Sequence, residues 1–283
     1  MTTWLVTGAG GQLASHLVEL LAEESVLALG RAELDVTDAL EVRRVVDAHH
    51  PDVVINAAAY TAVDAAEEDE LAADAVNHLG PENLARALAH AGTGRLVHVS
   101  TDYVFAGDAS EPYEVDAPTG PTGAYGRTKL AGEEAVLSAL PGRAGVVRTA
   151  WVYGGPGPNF VDTMLRLEKE RDTLDVVADQ IGSPTYARDL AAALIEVGRR
   201  PEVPAPVLHY VNAGQASWFD LARETFRLAG ADPERVRPTD SASFPRPAKR
   251  PAWSVLSTGS WVAAGFTPPR PWQEALAAAI AAR

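Results

Sequence analysis

An α/β fold, a doubly wound parallel sheet of the Rossmann type with a smaller C-terminal lobe, is predicted by three observations. Over roughly the first 150 residues, short apolar runs alternate with segments of helical period, the pattern of successive βαβ units. A glycine turn, Thr7-Gly-Ala-Gly-Gly-Gln-Leu-Ala14, follows the first of those runs directly. Beyond Arg148 the rhythm fails, and residues 213–283, rich in Trp, Pro and Arg, read as a smaller unit. The expected division is 1–149 with a returning segment at about 173–212, against a lobe of 150–172 and 213–283.

The elements follow in order. Residues 4–7 are β-rich and run into the glycine turn, 12–23 place apolar residues at helical spacing, and 26–29 form the next strand. Asp38 is an N-cap candidate, able to accept from the first free amides of a helix ending near His50. Residues 52–56 are a third strand, and 70–91 read as one long alanine-rich helix stopped by Gly92. A strand at 95–100, a helix around 125–140 and a strand at 145–148 complete the regular part. Gly-Gly-Pro-Gly-Pro at 154–158 marks an irregular excursion before a short helix near 160–171. Runs at 174–177 and 207–211 are expected to return to the sheet. Such sheets bind ligands at the carboxyl ends of the strands, where strand order reverses, so the two lobes should flank a cleft.

Composition narrows the function. With 47% hydrophobic and 22% charged residues in 283, the chain is long enough to bury about three-quarters of its unfolded surface. Its formal net charge of −14 repels nucleic-acid backbones and anionic membranes, so neither is an expected partner. The absence of cysteine removes thiolate catalysis and cysteine-held metals. No uncharged apolar stretch reaches the length of a membrane span and the N-terminus has no basic leader, so a cytoplasmic protein is expected.

The glycine turn sits between strand and helix, where phosphate-binding turns belong. Gly8 permits the tight turn, Gly10 and Gly11 let backbone approach a pyrophosphate, and Gln12 and Leu13 open the helix. Ala14 stands where a third glycine is usual and is still small enough for close packing. No acidic residue ends the second strand, where Leu29-Gly30-Arg31 stands, so Arg31 is the expected contact for a 2′-phosphate. NADPH is therefore the expected cofactor, with NADH as the alternative. Asp35 and Val36 are placed beside the adenine, and the small run Ala57-Ala58-Ala59 before Tyr60 leaves room for the cofactor's backbone and ribose.

Tyr125 and Lys129 lie four residues apart, on one face of a helix. A phenol of pKa ~10 is a usable proton donor in carbonyl reduction, and an adjacent ammonium with an oxidised nicotinamide would lower that value. Lys129 can also hold the nicotinamide ribose. Ser100 and Thr101 end the fourth strand on the same edge as the glycine turn, with Thr101 placed to hold a substrate carbonyl.

Taken together, Gly8-x-x-Gly11-Gln12-Leu13, Asn56-Ala-Ala-Ala-Tyr-Thr-Ala-Val-Asp64, Ser100-Thr-Asp-Tyr-Val-Phe105, Tyr125-Gly-x-Thr-Lys129, Arg148-Thr-Ala-Trp-Val-Tyr153 and Asp179-Gln-x-Gly-x-Pro-Thr185 resemble the dTDP-4-dehydrorhamnose reductases, a branch of the extended short-chain dehydrogenases. The resemblance runs from residue 4 to about 260. It implies NADPH-dependent reduction of the 4-keto group of dTDP-4-dehydro-L-rhamnose to dTDP-L-rhamnose. It also implies Tyr125 as proton donor, Lys129 as its partner, Thr101 as the carbonyl-orienting hydroxyl and Trp151 as a sugar-stacking indole. Asp102 and Tyr103 would line the same pocket. Arg246, Lys249 and Arg250 form a cationic cluster suited to a nucleotide diphosphate or, equally, a solvated loop; Arg250 is taken as the substrate contact. Some members of the family bind Mg²⁺ through glutamates at a dimer contact; no such cluster is identifiable in this sequence, so Mg²⁺ and a homodimer stay open. Two other functions are weighed: the same chemistry on another nucleotide-linked keto or aldehyde sugar, and a non-catalytic regulatory subunit. Retention of Thr101, Tyr125 and Lys129 together argues against the latter.

Overall fold

The computed structural model describes residues 2–283. Strands β1 (Thr3–Thr7), β2 (Ser25–Leu29), β3 (Val53–Asn56), β4 (Arg95–Thr101), β5 (Ala144–Thr149) and β10 (Val207–His209) form one sheet in the order β10-β5-β4-β3-β1-β2, every pair parallel. Strand order reverses between β1 and β3, which opens a crevice at their carboxyl ends.

The strand period of two sorts side chains to two faces. Trp4, Val6, Val53 and Ile55 face α1 (Gln12–Leu20) and α8 (Ala187–Arg199). Leu5, Val54 and Leu96 face α2 (Ala39–His49), α5 (Gly80–Ala91) and α6 (Ala124–Ala139). Asp38 caps α2 as expected, its carboxylate accepting from the amides of Leu40 and Glu41. Gly92 ends α5 in the left-handed region at φ 75°.

The expected helix at 70–91 is interrupted. After α3 (Val63–Glu68), a short helix the sequence reading omitted, come α4 (Glu70–Asp74), a π turn at Ala75–Leu79 and then α5. Pro81 cannot donate to the ladder, and the wider turn accommodates it. The same turn buries Asn77, whose side chain accepts from Tyr60 N at 2.8 Å and donates to Tyr60 O at 3.1 Å. That pair ties down the loop after β3.

Past β5 the chain builds β6 (Val152–Tyr153), α7 (Phe160–Glu170), β7 (Leu174–Val177), β8 (Ile181–Gly182) and β9 (Thr185–Tyr186). After β10 come β11 (Ala216–Ser217), α9 (Trp218–Leu228), β12 (Val236–Thr239), α10 (Gly259–Ala263) and α11 (Trp272–Ala281). The expected return of 174–177 to the central sheet is corrected: β7 pairs in parallel with β12, over the core of Met164, Val176, Phe226 and Val236. The expected return at 207–211 holds for Val207–His209. The stretch 259–266, assigned to the small lobe, joins the main core instead: Trp261 is fully buried, 4.8 Å from Tyr210 and 4.4 Å from Phe266 between ring centroids. Local period cannot assign a strand or a tryptophan to one of two cores.

Candidate active site

At the carboxyl edge of β1 the backbone turns through Gly8 (φ 76°) and Gly10 (φ 87°). A Cβ on Gly8 would lie 2.8 Å from Ala58 N, so only glycine lets this turn approach the loop after β3. Gly11 is the N-cap of α1 and no side chain caps it, so the first amides and the positive end of the helix are presented at this edge. No acidic residue occupies the first turn. These features suit a dinucleotide pyrophosphate. Leu13 and Ala14 pack inward, Ala14 in full. Gly155, from the excursion after β6, closes against Gln12 so tightly that a Cβ there would lie 2.6 Å from Gln12 Cα; the sequence reading had no signal for this contact.

At the end of β2 the structure adds an acid that the linear sequence hid. Residues 30–34 fold into a turn with Leu34 N donating to Gly30 O at 2.9 Å, and this returns the Glu33 carboxylate to Gly30 N at 3.0 Å. The expectation of no acid at this strand end is therefore corrected. Arg31 is exposed at the same corner. Asp35 turns its carboxylate onto Thr37 N (3.0 Å) and Oγ1 (2.8 Å), and those bonds hold it below the usual carboxylate range. Val36, expected beside the adenine, buries its side chain in the core beside Gly80. Ala57, Ala58, Ala59 and Tyr60 remain partly accessible at the crevice.

Thr101, Asp102, Tyr103, Tyr125 and Lys129 come together where β4 ends and α6 begins. Thr101 Oγ1 donates to Asp102 Oδ1 at 3.0 Å and accepts from Tyr103 N at 3.2 Å. The Tyr125 ring meets Tyr103 edge-to-face at 5.5 Å, with its hydroxyl on the side of Thr101. Gly126 permits this start of α6, since a Cβ would collide with Tyr103 O. Burial pushes the Tyr125 phenol well above its ordinary value, the Thr101 bond opposing and the Asp102 charge adding to it. The Lys129 ammonium donates to Val99 O at 2.6 Å. Burial brings Lys129 down to about 8, with Glu133 opposing. Burial also raises Asp102 to about 6, against bonds from Ser254 and Thr101, and its Oδ2 has no hydrogen-bond partner among the described residues. Tyr103 is pushed up to about 12, by burial and then by Asp102.

Behind Lys129 lies a buried polar chain: Nζ is 3.5 Å from His98 Nε2, His98 Nδ1 is 3.1 Å from Asn56 Nδ2, and Asn56 Oδ1 is 2.6 Å from Thr7 Oγ1. Next to it, Glu133 and Arg148 form a buried ion pair at 2.7 Å.

On the other wall, Arg250 donates to Asp64 Oδ2 at 2.8 Å and Ala248 N donates to Asp64 Oδ1 at 3.2 Å, which docks the 248–250 strand of chain beside Tyr103. Arg250 Nη1 is buried without a partner, a donor available to an oxygen-rich ligand. Arg246 and Lys249 are exposed and are not drawn into this wall. Trp151 adopts φ 46° and stacks on Trp218 at 3.6 Å and 8°, with Gly182 against its ring, where a Cβ would lie 2.5 Å from Trp151 Cε2. One face of the indole expected to carry a sugar is thus covered by Trp218. Among the described residues, no group of three or more His, Cys, Asp or Glu side chains converges as a metal site, and no helix is long and apolar enough to cross a membrane.

The family model for the RmlD substrate binding domain matches residues 1–283. A probable dTDP-4,6-dihydroxy-2-methyloxan-3-one 4-ketoreductase of Streptomyces antibioticus is 54% identical, over 96% of this chain and 92% of its own length. A dTDP-4-dehydrorhamnose reductase of Mycobacterium tuberculosis is 53% identical, over 98% of this chain and 92% of its own. The solved dTDP-4-dehydrorhamnose reductase of Bacillus anthracis in complex with NADP is 37% identical, with a TM-score of 0.95 and all of both chains covered.

Proposed function

The chain belongs to the RmlD substrate-binding-domain family, and from that membership and this site we propose that it reduces the 4-keto group of dTDP-4-dehydro-L-rhamnose to give dTDP-L-rhamnose, with NADPH as reductant. The observation that carries the reading is the convergence of Thr101, at the end of β4, with Tyr125 and Lys129, one helical turn apart on α6, on the same sheet edge as the uncapped amides of α1.

NADPH, when bound, supplies the hydride from its nicotinamide. Gly8, Gly10 and the first amides of α1 would hold its pyrophosphate, and Arg31 its 2′-phosphate. Tyr125 is kept as the protonated phenol by its surroundings and donates that proton to the carbonyl oxygen as negative charge develops there. The Thr101 hydroxyl bonds the same oxygen and orients the carbonyl. Lys129, with one proton on Val99 O, holds the ribose with the others and stabilises the phenolate left behind. Arg250, braced by Asp64, offers Nη1 to the diphosphate, and Trp151 with Trp218 forms the sugar wall. A cytoplasmic setting completes the reading, since substrate and cofactor are both highly charged and cross no lipid bilayer unaided.

A second reading, the same chemistry on a different dTDP-linked keto sugar, is supported by the 54% identity to the Streptomyces antibioticus ketoreductase, beside 53% to the Mycobacterium tuberculosis reductase. Following nicotinamide absorbance with NADPH or NADH and each dTDP-keto sugar, with the product identified by chromatography, separates the two. Turnover confined to other dTDP-keto sugars would establish the second reading, and no turnover with any sugar despite NADPH binding would overturn both.

A further inference from the structure

His98 touches no reacting atom in the mechanism above, yet its hydrogen bonds decide which ring nitrogen bears the proton. Ala58 N–H donates to Asn56 Oδ1 at 3.2 Å, which identifies that atom as the oxygen. The atom 3.1 Å from His98 Nδ1 is therefore the Asn56 amide nitrogen, which can only donate. His98 Nδ1 is thus the acceptor, and in the neutral ring the proton sits on Nε2. That N–H is directed at Lys129 Nζ, 3.5 Å away, while Nζ itself donates to Val99 O. Two donors face each other in a buried space.

We propose that His98 is a positioning residue for Lys129: as the Nε2–H tautomer it denies the ammonium a second inward acceptor, so the remaining Nζ protons turn outward to Tyr125 and the cofactor ribose. The inference rests on the reading of Lys129 as the ribose-holding lysine. The titratable and charged groups that bear on Nζ are His98 on β4 and Glu133 on α6, the latter bound to Arg148 on β5. The arrangement also favours the neutral amine, in keeping with the descent of Lys129 to about 8, caused mainly by burial. Burial and then the Lys129 charge hold His98 well below its ordinary value, so the ring stays neutral.

Two measurements on the whole chain test this. Long-range ¹⁵N–¹H spectra of the enzyme without cofactor are expected to show His98 neutral with the proton on Nε2 at about pH 6; an Nδ1–H ring or an imidazolium would overturn the proposal. The fluorescence-monitored affinity for NADPH, followed from about pH 6 to about pH 10, should fall as Lys129 loses its proton. In His98→Leu the facing donor is gone, and that fall should move to higher pH by about half a unit or more. A uniform loss of affinity with the limb unmoved would mean that His98 is merely structural. Failure of the wild type to bind NADPH at any pH would strike the functional reading instead, and the tautomer would still decide this one.

Discussion

Replacing Glu133 by Leu removes one half of the ion pair beneath the active-site helix, and its consequence can be worked from the geometry. Arg148 Nε lies 2.9 Å and Nη2 2.7 Å from the carboxylate, with both side chains at most 5% exposed. Solvent cannot rescue a guanidinium left alone there, and breaking such a pair from one side costs about 3–5 kcal/mol. For a chain of this length that lowers Tm by roughly 5–10 °C. Arg148→Met should cost a similar amount, because it strands the carboxylate and also gives up the contact with the Phe105 ring at 5.0 Å and the bond to Val115 O. The double variant Glu133→Leu with Arg148→Met carries no buried charge, so it should lose less than either single change, about 1–2 kcal/mol for the aromatic contact alone. Urea unfolding of all four proteins, followed by circular dichroism, gives the coupling energy directly. Single changes under about 1 kcal/mol that simply add in the double variant would refute the claim that this pair is dry and coupled.

Asp102 is buried with its pKa raised to about 6 from 3.8, so its charged form opposes folding: the penalty, roughly 3 kcal/mol at pH 7, fades as pH falls through 6 and is gone below the unfolded value. Asp102→Asn should therefore raise Tm at neutral pH and leave it little changed near pH 4; an equal gain at both would show that the charge is not the cause. Gly182→Ala must displace the Trp151 ring, since its Cβ would lie 2.5 Å from Cε2, and should raise KM for the sugar about 10-fold or more while NADPH affinity holds; an unmoved KM would remove Trp151 from the sugar wall. Arg31→Ala should lower kcat/KM for NADPH by about 10-fold or more and spare NADH. A parallel loss with both cofactors would instead give the corner to Glu33.

Much of this site could be read along the chain because the features concerned are local. Gly8 and Gly10 announce positive φ in the turn they build, Asp38 announces a helix start, and Tyr125 and Lys129 share a helix face by spacing alone. The motif around Thr101 could be placed at a strand end because the apolar run before it stops there. Glu33 was missed because the turn that returns it to Gly30 breaks the rule of looking only at the last strand residue. The Val36 side chain turns into the core, a choice that nearness to a strand end does not specify.

Periods and spacings of a few residues were thus enough for the α/β class, the glycine turn after β1 and the candidate hydroxyl, phenol and ammonium of Thr101, Tyr125 and Lys129. Long-range packing alone takes β7 from the main sheet to β12, lays Trp218 over Trp151, holds Arg250 on Asp64 across 186 residues of chain and sets Asn56 against His98. Those choices depend on which distant groups meet in a space without water, where every donor must find an acceptor, and no local pattern carries that information.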